Sequence, residues 1–366
     1  MNKNYEKIVS LVCDTLVRAG STFREDKKEA YKRVMASEDN EKAKWVLETV
    51  LANAEVAERN HSPLCDDTGI PHMVLEIGQD AAVTGRMLDA IREGIAKGLR
   101  KLPGRPMGIM GNDCQRIDQS GGLNPDSAAV EPAPVLIRRC QDNVIRLHIL
   151  MFGGGPAIRA KTYRVFHKHN MQVVLDEIVN WATEGVAQLG CSPCTLAVGV
   201  GRSHFEATSM MLQAQVDGRY DLQSEMEQEI TRRVNEANIG PLGLRGKTSV
   251  IATFMKVGPQ RASGVRIVCV RPACCIEPRI AYRRRLVKSR AGCPSAVLCC
   301  KRFRHRFCLY SGKGKLAWRL YGRRRGRLLK TQQKTRLRHA ATAFFVFACK
   351  QRCGCRLEKY LSVNWS

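Results

Sequence analysis

The chain has 366 residues and carries 60 lysines and arginines against 34 acids, a formal charge of +26, which taken whole points to an anionic partner such as nucleic acid or a membrane surface. Its distribution removes that reading from most of the chain: residues 281–366 hold 24 of the bases against one acid, Glu358, and residues 1–280 hold 36 bases against 33 acids. The opening "MNKNYEKIVSLVCDTL" is no secretory leader and no run of about 18 apolar residues occurs, so export and membrane spanning are not expected and a cytoplasmic, reducing setting is.

In chain order, residues 1–60 repeat apolar positions at helical spacing, with Ile8, Leu11, Val12 and Leu16 on one face and Val46, Leu47, Val50, Leu51 and Ala54 on another. "MVLEI" at 73–77 predicts a strand, and Met87, Leu88, Ile91, Ile95 and Leu99 predict a helix. A strand follows at 144–151, a helix around Val174, Ile178, Trp181 and Ala182, and a strand at 195–200. Leu222, Met226, Ile230 and Val234 step by four, ahead of strands at 249–257 and 264–270. Helices crowd the front and strands come later without regular alternation. The expected class is therefore α+β: a helical N-terminal part, then a mixed α/β domain to residue 280.

Chemistry gathers at breaks between elements, and three of the six main breaks contain cysteine: "CDDTG" at 65–69, "LGCSPC" at 189–194 and "RPACCIEPR" at 271–279. The others are "QSGGLNPDS" at 119–127, "FGGGPA" at 152–157 and "IGPLGLRG" at 239–246. A cysteine at a turn can aim its thiolate into a cleft, and three such thiolates can hold an iron–sulfur cluster with one iron left open. Spacing alone leaves alternatives standing. Each cysteine fits equally as a small buried hydrophobe, and Cys191-Ser-Pro-Cys194 fits a redox pair, though it opens a strand and not a helix. No second CxxC or matching histidine pair favours structural zinc. Gly199-Val200-Gly201 lacks the spacing of a dinucleotide loop, and His204 reads as a helix-start or surface residue.

The runs "SPLCDDTG", "FGGGPA", "LGCSPCTLAVGVG" and "NIGPLGLRGKTSV" together resemble the α subunit of class I fumarate hydratases and L(+)-tartrate dehydratases, in the right order over roughly residues 5–280. The resemblance implies a hydro-lyase with a [4Fe–4S] cluster, acting on a small dicarboxylic hydroxy acid. It implies Cys65, Cys191 and Cys274 as cluster ligands, with Cys275 the alternate for the third. Asp67 would do acid/base work; Asp66, Arg105, Gly154, Gly155 and Arg219 would approach substrate. Three departures bear on activity: Asp66 stands where the family has glutamine, Tyr220 stands where it has histidine after arginine, and "CCIEPRI" replaces C-x-x-x-R-R. Nothing after residue 280 resembles the family's second half-site, so a separate β subunit is the implied partner. A noncatalytic cluster-bearing subunit is the alternative reading.

Residues 281–366 hold seven of the 16 cysteines and show no sustained period of 2 or 3.6. The abrupt change in composition looks like translation in an altered reading frame, giving a basic tail without selected structure. Other readings are a basic extension binding nucleic acid through runs such as Arg323-Arg324-Arg325, and metal binding by Cys349, Cys353 and Cys355. Asn364-Trp365-Ser366 is a glycosylation sequon without an export signal.

Overall fold

A computed structural model describes residues 3–67, 69–102, 105–283 and 286, together with the backbone of 306–312 and 315–321. The chain divides into two compact units, residues 1–292 and 293–366. The first begins with three helices, α1 (Lys3–Ser21), α2 (Glu25–Ser37) and α3 (Glu41–Asn60). Next come β1 (Ile70–Ile77), α4 (Gly85–Lys101), α5 (Asp113–Asp118), β2 (Leu136–Arg139), β3 (Ile145–Phe152), α6 (Gly154–Arg159) and β4 (Lys161–Phe166). The last part runs α7 (Met171–Leu189), β5 (Cys194–Gly201), α8 (His204–Asp217), α9 (Glu225–Asn235), β6 (Val250–Val257), β7 (Val265–Ala273) and β8 (Arg279–Arg283). This is the α+β arrangement with a helical front.

Two four-stranded sheets organise the unit, in the orders β2-β1-β3-β8 and β4-β7-β5-β6. The first pairs β1 with β3 antiparallel along its whole length. Helices α1 and α4 cover one face of it, and Val12, Leu16, Ile95, Leu99, Leu147 and Ile149 form a dry core there. A fully buried aliphatic side chain of this kind contributes about 1.5–3 kcal/mol relative to exposure. On the second sheet, α7 and α9 pack Ile178, Val186, Ile230 and Val234 against Leu196, Val198 and Val270.

Helix α8 joins the two sheets: Ala207, Met211 and Leu212 meet Val74, Leu150 and Phe152 from the first and Ala197 and Cys269 from the second. It lies close because β5 carries Gly199, where an added Cβ would come within 2.0 Å of the Ala207 carbonyl oxygen. The glycines at 199 and 201 thus serve helix packing, and His204 is the first residue of α8, capped by Ser203.

Several elements differ from the sequence expectation. Leu222 lies outside α9, which starts at Glu225 with Ser224 and Glu227 forming its capping box. Strand β8 runs to Arg283, past the expected boundary at 280, and Leu286 is buried in the first core. No helix among the described residues is long and apolar enough to cross a membrane. In the second unit the described residues form one antiparallel pair, β9 (Arg306–Gly312) with β10 (Lys315–Tyr321). The basic run 323–325, Cys349, Cys353, Cys355 and the sequon lie outside the described residues.

Candidate active site

Three loops at the ends of regular elements carry the cysteines. Helix α3 ends at His61 in a left-handed turn, and the chain reaches Cys65 through a segment held by hydrogen bonds from the Leu64 amide to the Gly20 carbonyl and from the Asn53 amide side chain to the Leu64 carbonyl. Cys191 follows α7, and its carbonyl accepts the Cys275 amide at 2.8 Å, which ties the second cysteine loop to the third. Cys65 and Cys274 both pack, half-buried, against one apolar cluster containing Phe23, Tyr31, Leu64, Cys275 and Ile276. The loops of Cys65, Cys191 and Cys274–Cys275 therefore meet at one place in the fold. Cys191 is exposed and Cys275 is buried.

Burial dominates the thiols. It raises Cys65, pushes Cys274 up to about 11 and raises Cys275 strongly. Such thiols stay protonated at neutral pH unless a metal's charge compensates for ionisation. Among the described residues, no three histidine, cysteine or acidic side chains gather closely enough for a single ion. A cluster has a different requirement, since its thiolates are spread over several irons. Three thiols on adjoining loops, two of them against one apolar cluster, fit that requirement, and their sulfur donors suit iron.

The next residues hold the carboxylates. Asp66 is exposed, accepts from the Cys65 thiol at 3.4 Å and pairs with Arg105 at 3.3 Å; the thiol bond and the guanidinium hold its carboxyl below the usual range. The extra negative charge at 66 thus faces Arg105, the side chain expected to clamp a substrate carboxylate. Asp67 points the other way: its Oδ2 accepts the Gly154 amide at 2.7 Å, and its carbonyl accepts from Arg279. Its Oδ1 is buried without a hydrogen-bond partner among the described residues.

Within the glycine run the tightest position is Gly153. At Gly153 an added Cβ would come within 2.7 Å of Asp67 Oδ2 and 3.1 Å of Glu277 Oε1, while at Gly155 it would meet nothing. Glycine is needed at 153, where its absent side chain makes room for two carboxylates; Gly154 contributes its amide.

Beneath this surface lies a buried ionic triad that sequence reasoning missed. Glu277, 1% exposed, accepts the Gly153 amide on Oε1 and pairs through Oε2 with Arg271, itself 2% exposed. Arg279 stands 3.9 Å from Glu277 and donates to the carbonyls of Asp67 and Met151. Burial works to raise the Glu277 carboxyl, but Arg271, Arg279 and the Gly153 amide outweigh it and hold the carboxyl below its usual range. Arg271 also lies 4.0 Å over the Phe152 ring, against which His72 stacks at 4.3 Å; burial lowers His72. These charges were visible in "RPACCIEPR", but nothing local linked them to residues 67 and 153. Lys27 and Tyr31 of α2 complete the support, donating to the carbonyls of Ile276, Glu277 and Cys275.

Arg219, expected near substrate, and Tyr220, the departure beside it, lie away from the cysteine loops. Arg219 pairs with Asp221 and lines a surface hollow of about 270 Å³ with Asp217, Leu222, Glu227 and Lys256, none of which belongs to the cysteine loops. Tyr220 is built into the core: its hydroxyl bonds to Thr195 at 2.7 Å and its ring meets Phe254 edge-on.

Residues 9–283 match the model of the family described as fumarate hydratase (fumerase). A protein of Methanocaldococcus jannaschii provisionally named L(+)-tartrate dehydratase subunit alpha is 24% identical over 289 residues, covering 76% of this chain and 97% of the relative. The L(+)-tartrate dehydratase subunit alpha of Escherichia coli K12 is 20% identical over 270 residues, 71% of this chain and 86% of its own length. A Geobacillus stearothermophilus protein provisionally named fumarate hydratase class I is 22% identical, and the match covers 50% of it. Matched along most of its length, the chain belongs to the fumarate hydratase (fumerase) family.

Proposed function

We propose that this chain is the α-type subunit of a hydro-lyase that adds or removes water on a small dicarboxylic hydroxy acid of the fumarate/malate or tartrate kind. Cys65, Cys191 and Cys274 would hold a [4Fe–4S] cluster, with Cys275 the alternate third ligand. When bound, the cluster would supply an open iron that acts as a Lewis acid toward hydroxyl and carboxylate oxygens. The observation that carries this reading is the meeting of three cysteine loops beside Asp67, whose carboxylate is fixed at one oxygen and has no partner among the described residues at the other.

Asp67 is the acid/base group in this reading. With Oδ2 anchored on the Gly154 amide, Oδ1 is left to exchange a proton with the substrate carbon or the departing hydroxyl. Arg105 would clamp a substrate carboxylate, for which a guanidinium is geometrically suited, and Asp66 would compete for it. Gly154 and Gly155 would let the substrate approach the backbone, and Arg219 would take part only if substrate or partner reached its separate hollow. The second half of the active site belongs to a β subunit, as the subunit names of the tartrate dehydratase relatives suggest, and the setting is the cytoplasm. The basic residues beyond 292 take no part in the chemistry in this reading.

The Asp66–Arg105 pair and the core position of Tyr220 favour one second reading, a cluster-bearing subunit without turnover. Anaerobic reconstitution of the full chain with ferrous iron and sulfide tests the first element, by iron and sulfide counts and EPR before and after mild oxidation. A four-iron product that loses one iron on oxidation, and fails in Cys65→Ala and Cys191→Ala, is the expected result; absence of a cluster refutes the reading. Turnover of fumarate, malate or tartrate with a β partner then separates the catalytic from the noncatalytic subunit.

A further inference from the structure

Asp67 stands on irregular backbone between α3 and β1, yet the role given to it needs a carboxylate held to within about 0.5 Å. Its side chain is anchored at the Gly154 amide, 2.7 Å from Oδ2. Its main chain is anchored by Arg279 of β8, which is 3% exposed. Arg279 Nη1 donates to the Asp67 carbonyl at 2.5 Å, and Nε donates to the Met151 carbonyl of β3 at 3.2 Å. Nη2 lies against Gly69, where an added Cβ would come within 2.5 Å of it and within 2.7 Å of the Phe152 carbonyl oxygen. With φ at +81°, Gly69 is also in the left-handed region that favours glycine.

One planar guanidinium therefore spans the end of β3, residue 67 and residue 69. Met151 and Arg279 are cross-strand partners in the first sheet, so the loop is referenced to a rigid element. A rigid fork of five donors can hold these places together; a lysine ammonium is a single point on a flexible stem and cannot. We infer that Arg279 is the positioning residue of Asp67, fixing the backbone at 67 and 69 so that the carboxylate stays on the Gly154 amide. Arg279 itself touches no substrate. The inference rests on the reading of Asp67 as the acid/base group.

The test compares the full chain with Arg279→Lys, Arg279→Gln and Tyr31→Phe. Arg279→Lys keeps a buried positive charge beside Glu277 and removes the fork, so it carries the test even where Arg279→Gln fails to fold. Tyr31→Phe removes a bond to the third cysteine loop, at Cys275, without touching Asp67. Hydrogen exchange resolved to single amides should show the Gly154 amide exchanging about tenfold faster in Arg279→Lys, the factor carried by one hydrogen bond. The Gly153 amide, held by Glu277, should keep the parent's rate, and Tyr31→Phe should leave Gly154 unchanged. After anaerobic reconstitution and addition of a β partner, kcat on fumarate, malate or tartrate should fall about 10²-fold in Arg279→Lys, the cost of roughly an ångström of misplacement. KM should stay within about twofold and iron content at the parent's value, because only the orientation of Asp67 changes. A Gly154 exchange rate or a kcat equal to the parent's, or iron lost along with turnover, overturns the inference alone. A parent that turns over none of the three acids overturns the catalytic reading and this inference with it.

Discussion

Gly153 and Gly154 give their consecutive amides to two different carboxylates, the first to Glu277 and the second to Asp67 at 2.7 Å. One buried acid and one acid at the site surface are thereby held by a single turn of backbone.

Gly153→Ala should break that arrangement. Its Cβ would meet Asp67 Oδ2 at 2.7 Å, and overpacking of this kind costs about 1–3 kcal/mol. Turnover should fall much further than stability, because Asp67 is the group displaced. Gly155→Ala meets open space inside α6 and should be neutral or stabilising by about 0.5 kcal/mol. Thermal melts and activity of the two variants side by side check the contrast.

Glu277→Gln should lower unfolding free energy by about 3 kcal/mol or more, since Arg271 and Arg279 lose the carboxylate that compensates them in the interior. Arg271→Met combined with Glu277→Gln should recover part of the loss. Urea unfolding of both singles and the double measures the coupling.

Asp67→Asn should cut kcat by about 10²–10⁴, the usual contribution of a positioned acid/base group, while the iron content of the reconstituted chain stays at the parent's value. Loss of iron along with activity would move Asp67 from proton transfer to cluster support.

Asp66→Gln should release Arg105 from its ion pair. An exposed pair contributes up to about 1 kcal/mol, so KM for a dicarboxylate should fall by no more than about fivefold, with kcat little changed. Steady-state kinetics with the β partner decide it.

Acid should weaken the fold below the usual histidine pKa. Burial holds His72 and His148 below 6.5 in the folded state, so the unfolded chain binds more protons as pH falls through 6.5. Stability is present above that value and lost beneath it. The melting temperature should fall as pH drops below about 6.5, and His72→Phe should flatten part of that fall.

The breaks that carry the cysteines were legible because turns interrupting strong apolar patterns stand out in a sequence, whereas the role given to Asp67 came from the family resemblance alone. The triad was not. Glu277 and Arg279 act on Gly153 and Asp67, partners more than a hundred residues away, and no local period encodes such a bond. Lys27 sits in "EDKKEAYKR", which reads as a solvated helix face, yet Lys27 and Tyr31 point inward to the third cysteine loop. Tyr220 looked like a lost active-site imidazole, and the structure places its hydroxyl on Thr195 inside the core. The capping box at Ser224 was a readable signal that the step-of-four pattern from Leu222 overrode.

The contact between α8 and bare backbone at Gly199 has an evolutionary meaning. With 2.0 Å between an added Cβ and the Ala207 oxygen, no single replacement there is accommodated in place. A lineage that changes position 199 must first slide the helix that joins both sheets, so drift in this protein is expected to go around that position and leave it fixed.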